Sequence, residues 1–177
     1  MDAVTLMREQ LRAAHGLLEE TLGDPTPEQL HYIPQGHALP VGAAYAHVIV
    51  SEDILVNGML RKQQPLCATP GAVTGLSEPM PAFSAEAWPG YRDWTHRVRV
   101  EVPALRRYAE EVYAASDAYL ASLSAEDLDG HVDLSSFGMG SPQLASFLSR
   151  TVVAHVDNLT GEISAAKGLQ GLKGYPF

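Results

Sequence analysis

His47 and His155 are the residues of this chain best suited to chemistry. An imidazole near neutral pH carries a lone pair and serves both as a proton carrier and as a metal ligand. Both histidines interrupt apolar runs, Ala44-Tyr45-Ala46-His47-Val48-Ile49 and Val152-Val153-Ala154-His155-Val156. They stand 108 positions apart, so only the fold can unite them. The residues alone leave two readings open: two core histidines, each hydrogen-bonded to a neighbour, or one shared site. Ser51 follows His47 by one helical turn, and Thr151, Asn158, Leu159 and Glu162 lie within two turns of His155, so these five are the candidate pocket-lining residues. Asn158, roughly 60° round a helix from His155, offers a carbonyl oxygen, which is a weak zinc donor. Glu162 points the same way as His155 but about 10 Å along the axis, where it is better placed to orient a neighbour than to ligate.

Other polar residues make no better constellation. The chain has no Gly-x-Ser-x-Gly, no His-Glu-x-x-His and no Gly-Lys-Ser/Thr phosphate loop. His15 reads as a partly buried structural histidine, and His31, His37, His96 and His131 as exposed residues of loops or helix flanks. Glu52 and Asp53 point away from the His47 side of their helix; Asp53 and Asp157 read as solvated. No two carboxylates can be given acid and base roles by spacing. Cys67 is the only cysteine, which excludes an internal disulfide and a Cys-rich zinc cluster; in a loop it reads as chemically inert.

Four long amphipathic segments must position the histidines. The first covers 2–22, with Val4, Met7, Leu11, His15, Leu18 and Leu22 on one stripe. Gly23-Asp24-Pro25 stops it, and Thr26-Pro27-Glu28-Gln29 has the capping-box pattern of a short helical turn. The second covers about 40–61 and carries His47. The third carries Leu105, Tyr108, Val112, Ala115, Tyr119 and Leu123; it extends back through Trp94, Val98 and Val102 if Pro103 kinks it, or begins at Pro103. Between second and third, residues 62–90 hold five prolines and three glycines, a long crossover with a single turn expected at 84–88. It is too apolar for a disordered linker, and connections of that length are commonly functional or packed as a lid. Ser124 caps a turn, and 132–134 reads as a short extended piece. The fourth helix opens at Ser141-Pro142, closes at Lys167-Gly168, and presents Leu144, Phe147, Leu148, Thr151, Val152, His155, Leu159, Glu162, Ile163 and Ala166 as its inward face. The pattern predicts an all-α bundle, one domain over 1–177, with a topology that need not be simple up-and-down.

The 177 residues suffice for a core without staples, and 46% hydrophobic content is ordinary for a folded protein. Net charge is −9 and lysines and arginines nowhere cluster beyond a pair, which argues against nucleic acid or an anionic membrane surface as a partner. No run approaches the roughly 20 apolar residues of a membrane span, and the N-terminus lacks a signal-peptide pattern, so a cytoplasmic location is expected.

The segments Ala44-Tyr45-Ala46-His47-Val48 with Glu52, His155-Val156-Asp157-Asn158-Leu159-Thr160-Gly161-Glu162-Ile163, and the closing Lys167-Gly168 to Pro176-Phe177 together resemble the DinB/YfiT-like superfamily. The likeness covers nearly the whole chain in helix order. It implies a DinB-like four-helix bundle with a long crossover between the second and third helices, commonly homodimeric. It also implies one divalent metal, zinc or nickel, on one histidine of the second helix and two of the fourth. Members with assigned activities are mostly transferases or isomerases that use low-molecular-weight thiols. The fourth-helix pattern in that family is His-x-x-x-His-x-Gly-Glu/Gln, because residues four apart sit one turn apart and can take adjacent corners of one coordination sphere. Here His155 fills the first place and Leu159 the second, so His47 and His155 carry over as metal ligands and the third ligand is missing.

Two functions follow as expectations. One is a metal-assisted, thiol-dependent transferase, isomerase or hydrolase, with Glu162 behind the ligands. The other is a metal-free, small-molecule-binding bundle whose pocket is edged by His47, Thr151, His155 and Asn158; Leu159 favours it.

Overall fold

Four helical rods carry the molecule. In the computed structural model, which describes residues 1–82, 84 and 88–177, α1 spans Ala3–Leu22 and is capped by Asp2, whose carboxylate accepts from Thr5 N at 2.8 Å. The short α2, Pro27–Leu30, opens with the expected capping box, Thr26 Oγ1 and Gln29 each serving the other's backbone N–H. The second rod is α3, Val41–Asp53, continued without a break by a π-helical stretch, Ile54–Leu60. The third comprises a short α4, Tyr91–Arg97, and the long α5, Val102–Ala121. After the capped turn α6, Ala125–Asp129, the fourth rod runs as α7, Leu144–Phe147, a π-helical stretch, Leu148–Val153, and α8, Ala154–Gly168. Among the described residues there is no strand, only isolated bridges Leu76–Val100 and His131–Gln143.

Each of α5 and α8 packs against both α1 and α3, so α1 and α3 face each other across the diagonal of the bundle. Leu18, Leu22, Tyr45, Ile49, Leu105, Val112, Leu148 and Ile163 fill the centre. The environment of α3 is unusual: all thirteen of its residues are buried. α5 and α8 cover it inside the bundle, while α2, α4 and the turn Leu66–Ala68 cover what would otherwise be its solvent side. A helix apolar on nearly every face is stable only when covered all round.

Two expectations, for His31 and for the opening of the fourth helix, are corrected. Of the two alternatives for the third helix the later start is the one observed: it does not reach back through Trp94 and Val98, and Pro103 stands in the first turn of α5, its missing N–H falling where a helix needs none. The residues just before it are extended: Arg99 O accepts from Ser77 N, Glu101 N donates to Gly75 O, and Val100 N donates to His31 Nε2 at 2.9 Å. His31 is thereby a structural joint between α2 and this segment, not an idle surface histidine. The fourth rod does not open at Ser141-Pro142 either. Its cap residue is Gln143, because Pro142 O accepts from Val132 N and Leu144 N donates to Gly130 O, committing 141–143 to the expected extended piece near 132–134. The crossover holds short 3-10 turns at Leu66–Ala68 and Trp88–Gly90, and the turn expected at 84–88 lies largely outside the described residues.

Candidate functional site

α3 delivers His47 and the second residue of α8 delivers His155, and the two imidazoles meet with Nε2 facing Nε2 at 3.3 Å. The rings cross at 67° with centroids 5.1 Å apart. His47 is buried and His155 half-buried. Burial, then the neighbouring His155, pushes the His47 imidazole down to about 3, and burial also lowers His155, opposed by the Glu52 carboxylate. Both rings are therefore neutral at pH 7, and neutral imidazole is the form that binds metal. Tyr91 of α4 packs edge-on against His47 at 5.2 Å and stacks on Trp94 at 5.6 Å, so α4 braces the ring from outside. Its phenol is held protonated by burial and by the charge of Glu162.

The remaining candidates divide. Ser51 is buried one turn beyond His47, its Oγ without a hydrogen-bond partner among the described residues. Leu159 is buried at 6% exposure, Thr151 is half-buried, and Asn158 and Glu162 are exposed. The inward face expected for the fourth helix is thus corrected: Val156 and Thr160 are buried where Glu162 is not. The cause is the π-helical Leu148–Val153, whose wider turn re-phases every residue after it. His155 comes to the edge of the seam, facing His47, while Glu162 turns outward.

Sequence reasoning missed the acids of α3. Glu52 and Asp53 are buried at 2% and 0% exposure and are not solvated. Glu52 Oε2 accepts from His15 Nε2 at 2.8 Å across the diagonal, and the His15 ring lies stacked on Tyr113 at 3.7 Å. Asp53 accepts from the Tyr108 hydroxyl at 2.7 Å, from Asn57 Nδ2 at 2.8 Å, and from Leu66 N and Cys67 N at 2.9 Å each. The signal was the run 41–56 itself: where nearly every residue is apolar, the few acids have no solvated face to occupy.

A tetrahedral ion with metal–nitrogen bonds of about 2.0–2.1 Å has ligand nitrogens about 3.3–3.4 Å apart. The 3.3 Å between the two Nε2 atoms is a hydrogen bond in which one neutral ring donates to the other, and it also matches that edge, so the pair could take two corners of a zinc-like site. Among the described residues no three His, Cys, Asp or Glu side chains gather as a metal-binding group.

The fold and this histidine pair define a helical bundle with a small polar centre between two facing helices. The chain belongs to the DinB superfamily, whose family model matches residues 10–158. The crystal structure of a conserved protein from Enterococcus faecalis superposes with a TM-score of 0.78, at 21% identity over 96% of this chain and 97% of that one, a likeness of fold. No curated protein matches the chain. No helix among the described residues is long and apolar enough to cross a membrane.

Proposed function

We propose that the protein is a divalent-metal-assisted enzyme of the thiol-dependent transferase, isomerase or hydrolase kind, with His47 and His155 as its protein ligands. The observation that supports this reading is the Nε2–Nε2 separation of 3.3 Å between two rings that burial keeps neutral. His47 and His155 would hold the zinc or nickel, and the Lewis acidity it would supply is of the kind that lowers the pKa of a thiol or water. The chain's own residues do the rest. His47 is fixed by α3 and braced by Tyr91. His155 approaches from the half-buried rim, which is the side a small thiol can reach. Leu159 adds no donor, and its buried apolar side chain would not compete with a small thiol.

The buried Leu159 also supports a second reading, in which the centre is a metal-free pocket for a small organic molecule. Elemental mass spectrometry on protein purified without chelators separates the two. The enzyme reading expects close to one zinc or nickel per chain, lost in His47→Ala and in His155→Ala. A folded wild type without metal would overturn it and send the search to a thermal-shift screen of small molecules. We also propose a homodimer, which light scattering on the same preparation would register as twice the chain mass.

A further inference from the structure

A cavity of about 220 Å³ opens between α1 and α5. Arg8, Arg12 and His15 reach it from successive turns of one face of α1, and Tyr113 and Asp117 from α5. His15 is its floor, 7% exposed, with the ring stacked on Tyr113. The His15 Nε2 is bonded to Glu52 Oε2 at 2.8 Å, so Nδ1 is the ring nitrogen left for a guest. Packing alone does not explain this buried pair. Apolar side chains of the same volume would serve stability as well, and Glu52 Oε1 has no hydrogen-bond partner among the described residues. What the pair achieves is to hold one imidazole in a fixed pose at the bottom of a cavity.

The rim is of another kind. Asp117 accepts from Arg8 Nε and Nη2 at 2.9 Å each, and from Arg12 Nη2 at 2.8 and 2.9 Å. One carboxylate thus serves two guanidiniums. The rim keeps one positive charge in excess, in a chain whose net charge is −9, and the remaining guanidinium N–H groups are donors to spare. Guanidinium forks match carboxylate oxygens, and a monoanion balances that charge. At the floor, Nδ1 accepts a hydrogen bond if His15 is neutral and donates one if it is charged. A hydroxyl, both donor and acceptor, meets either form. Leu11 and Ala114 wall the space between with apolar surface, and the volume lies below the roughly 300 Å³ at which ligand pockets for drug-sized molecules begin. We propose that the α1–α5 cleft binds a small hydroxy acid, its carboxylate held at the rim by Arg8 and Arg12 and its hydroxyl at the floor by His15, which Glu52 anchors. The site is independent of the metal reading, since Glu52 lies about 140° round α3 from His47 and turns toward α1.

Amide NMR spectra of the isotope-labelled full chain would follow titrations with lactate, with propionate, which lacks only the hydroxyl, and with inorganic phosphate. Lactate should shift the amides of Arg8 to His15 and of Tyr113 to Asp117. It should bind about 2- to 10-fold more tightly than propionate, the worth of one neutral hydrogen bond. Arg12→Ala, a change at an exposed rim residue, should weaken both carboxylates at least about tenfold, the loss of a charged hydrogen bond. His15→Gln should leave propionate binding as it is and abolish the preference for lactate. If that buried change unfolds the chain, Ala114→Leu at an exposed position narrows the cavity instead and should weaken both acids. Equal affinity of the wild type for lactate and propionate would overturn the inference. Phosphate binding as tightly as lactate would reduce the cleft to a bare cationic rim and overturn it too. So would shifts centred on His47 and His155, or none at all, whatever the metal content of the same preparation.

Discussion

On the proposed metal reading, Leu159 is the one side chain that sets the His47–His155 pair apart from the fourth-helix histidine pattern that the resemblance implies. It lies one turn beyond His155, buried, in the place where a second imidazole of the same helix would stand. Leu159→His should therefore raise Zn²⁺ affinity by at least about tenfold, the lower bound set by outer partners alone. Its metal-free form should lose about 1–3 kcal/mol, the cost of a buried polar group without a partner. Chelator competition and urea denaturation read the two effects separately, and an unchanged affinity would show that position 159 does not face the pair. His47 and His155 were legible as candidates because each interrupts an apolar run. Their facing nitrogens were not, since a separation of 108 positions carries no information on distance in space. Glu52 was misjudged for a related reason: a carboxylate read on a single helix is assigned to solvent, and only the neighbours of α3 show that it has none.

At the scale of elements, Asp53 fastens the crossover. It ends α3, and its two oxygens receive the Tyr108 hydroxyl from α5 and the backbone amides of Leu66 and Cys67. The start of the long connection is thus tied to two rods at once. Burial and the Asp53 charge push the Cys67 thiol up to about 11, so at neutral pH it is not the nucleophilic thiolate. Asp53→Ala leaves a buried hydroxyl and two amides unpaired and should cost about 3–5 kcal/mol. Urea midpoints measure that loss. Faster hydrogen exchange at Leu66 and Cys67, with faster alkylation of Cys67, would locate it in the crossover; an even rise in exchange over the whole chain would argue against a fastener. The rods themselves were readable from their 3.6-residue periods and caps. Their π-helical stretches were not, because a wider turn needs no particular residue and is set by what packs against it.

For the whole molecule, the buried histidine pair makes stability depend on pH. His47 titrates at 6.5 in an unfolded chain and at about 3 when folded, so between those values the unfolded state binds the additional proton. The metal-free protein is then most stable above about pH 6.5 and loses up to about 1.4 kcal/mol per pH unit on the way down to 3 from this group alone. His155, also lowered, adds to the loss in the same direction. His47→Gln should flatten that slope in denaturation curves recorded from pH 7 to 4; an unaltered slope would assign the acid sensitivity elsewhere. The class of fold is written locally: apolar periodicity, capping boxes and a proline-rich gap specify helices, their order and one long connection, because each is a local or near-local property of the chain. Which polar groups lie inside is settled by the packing of elements distant in the chain. Whether a helix face meets water or another element depends on what the rest of the chain lays over it, and here the crossover, α2 and α4 cover α3. That cover buries Asp53 against the crossover, and the same closed bundle sets Glu52 against His15 and His47 against His155.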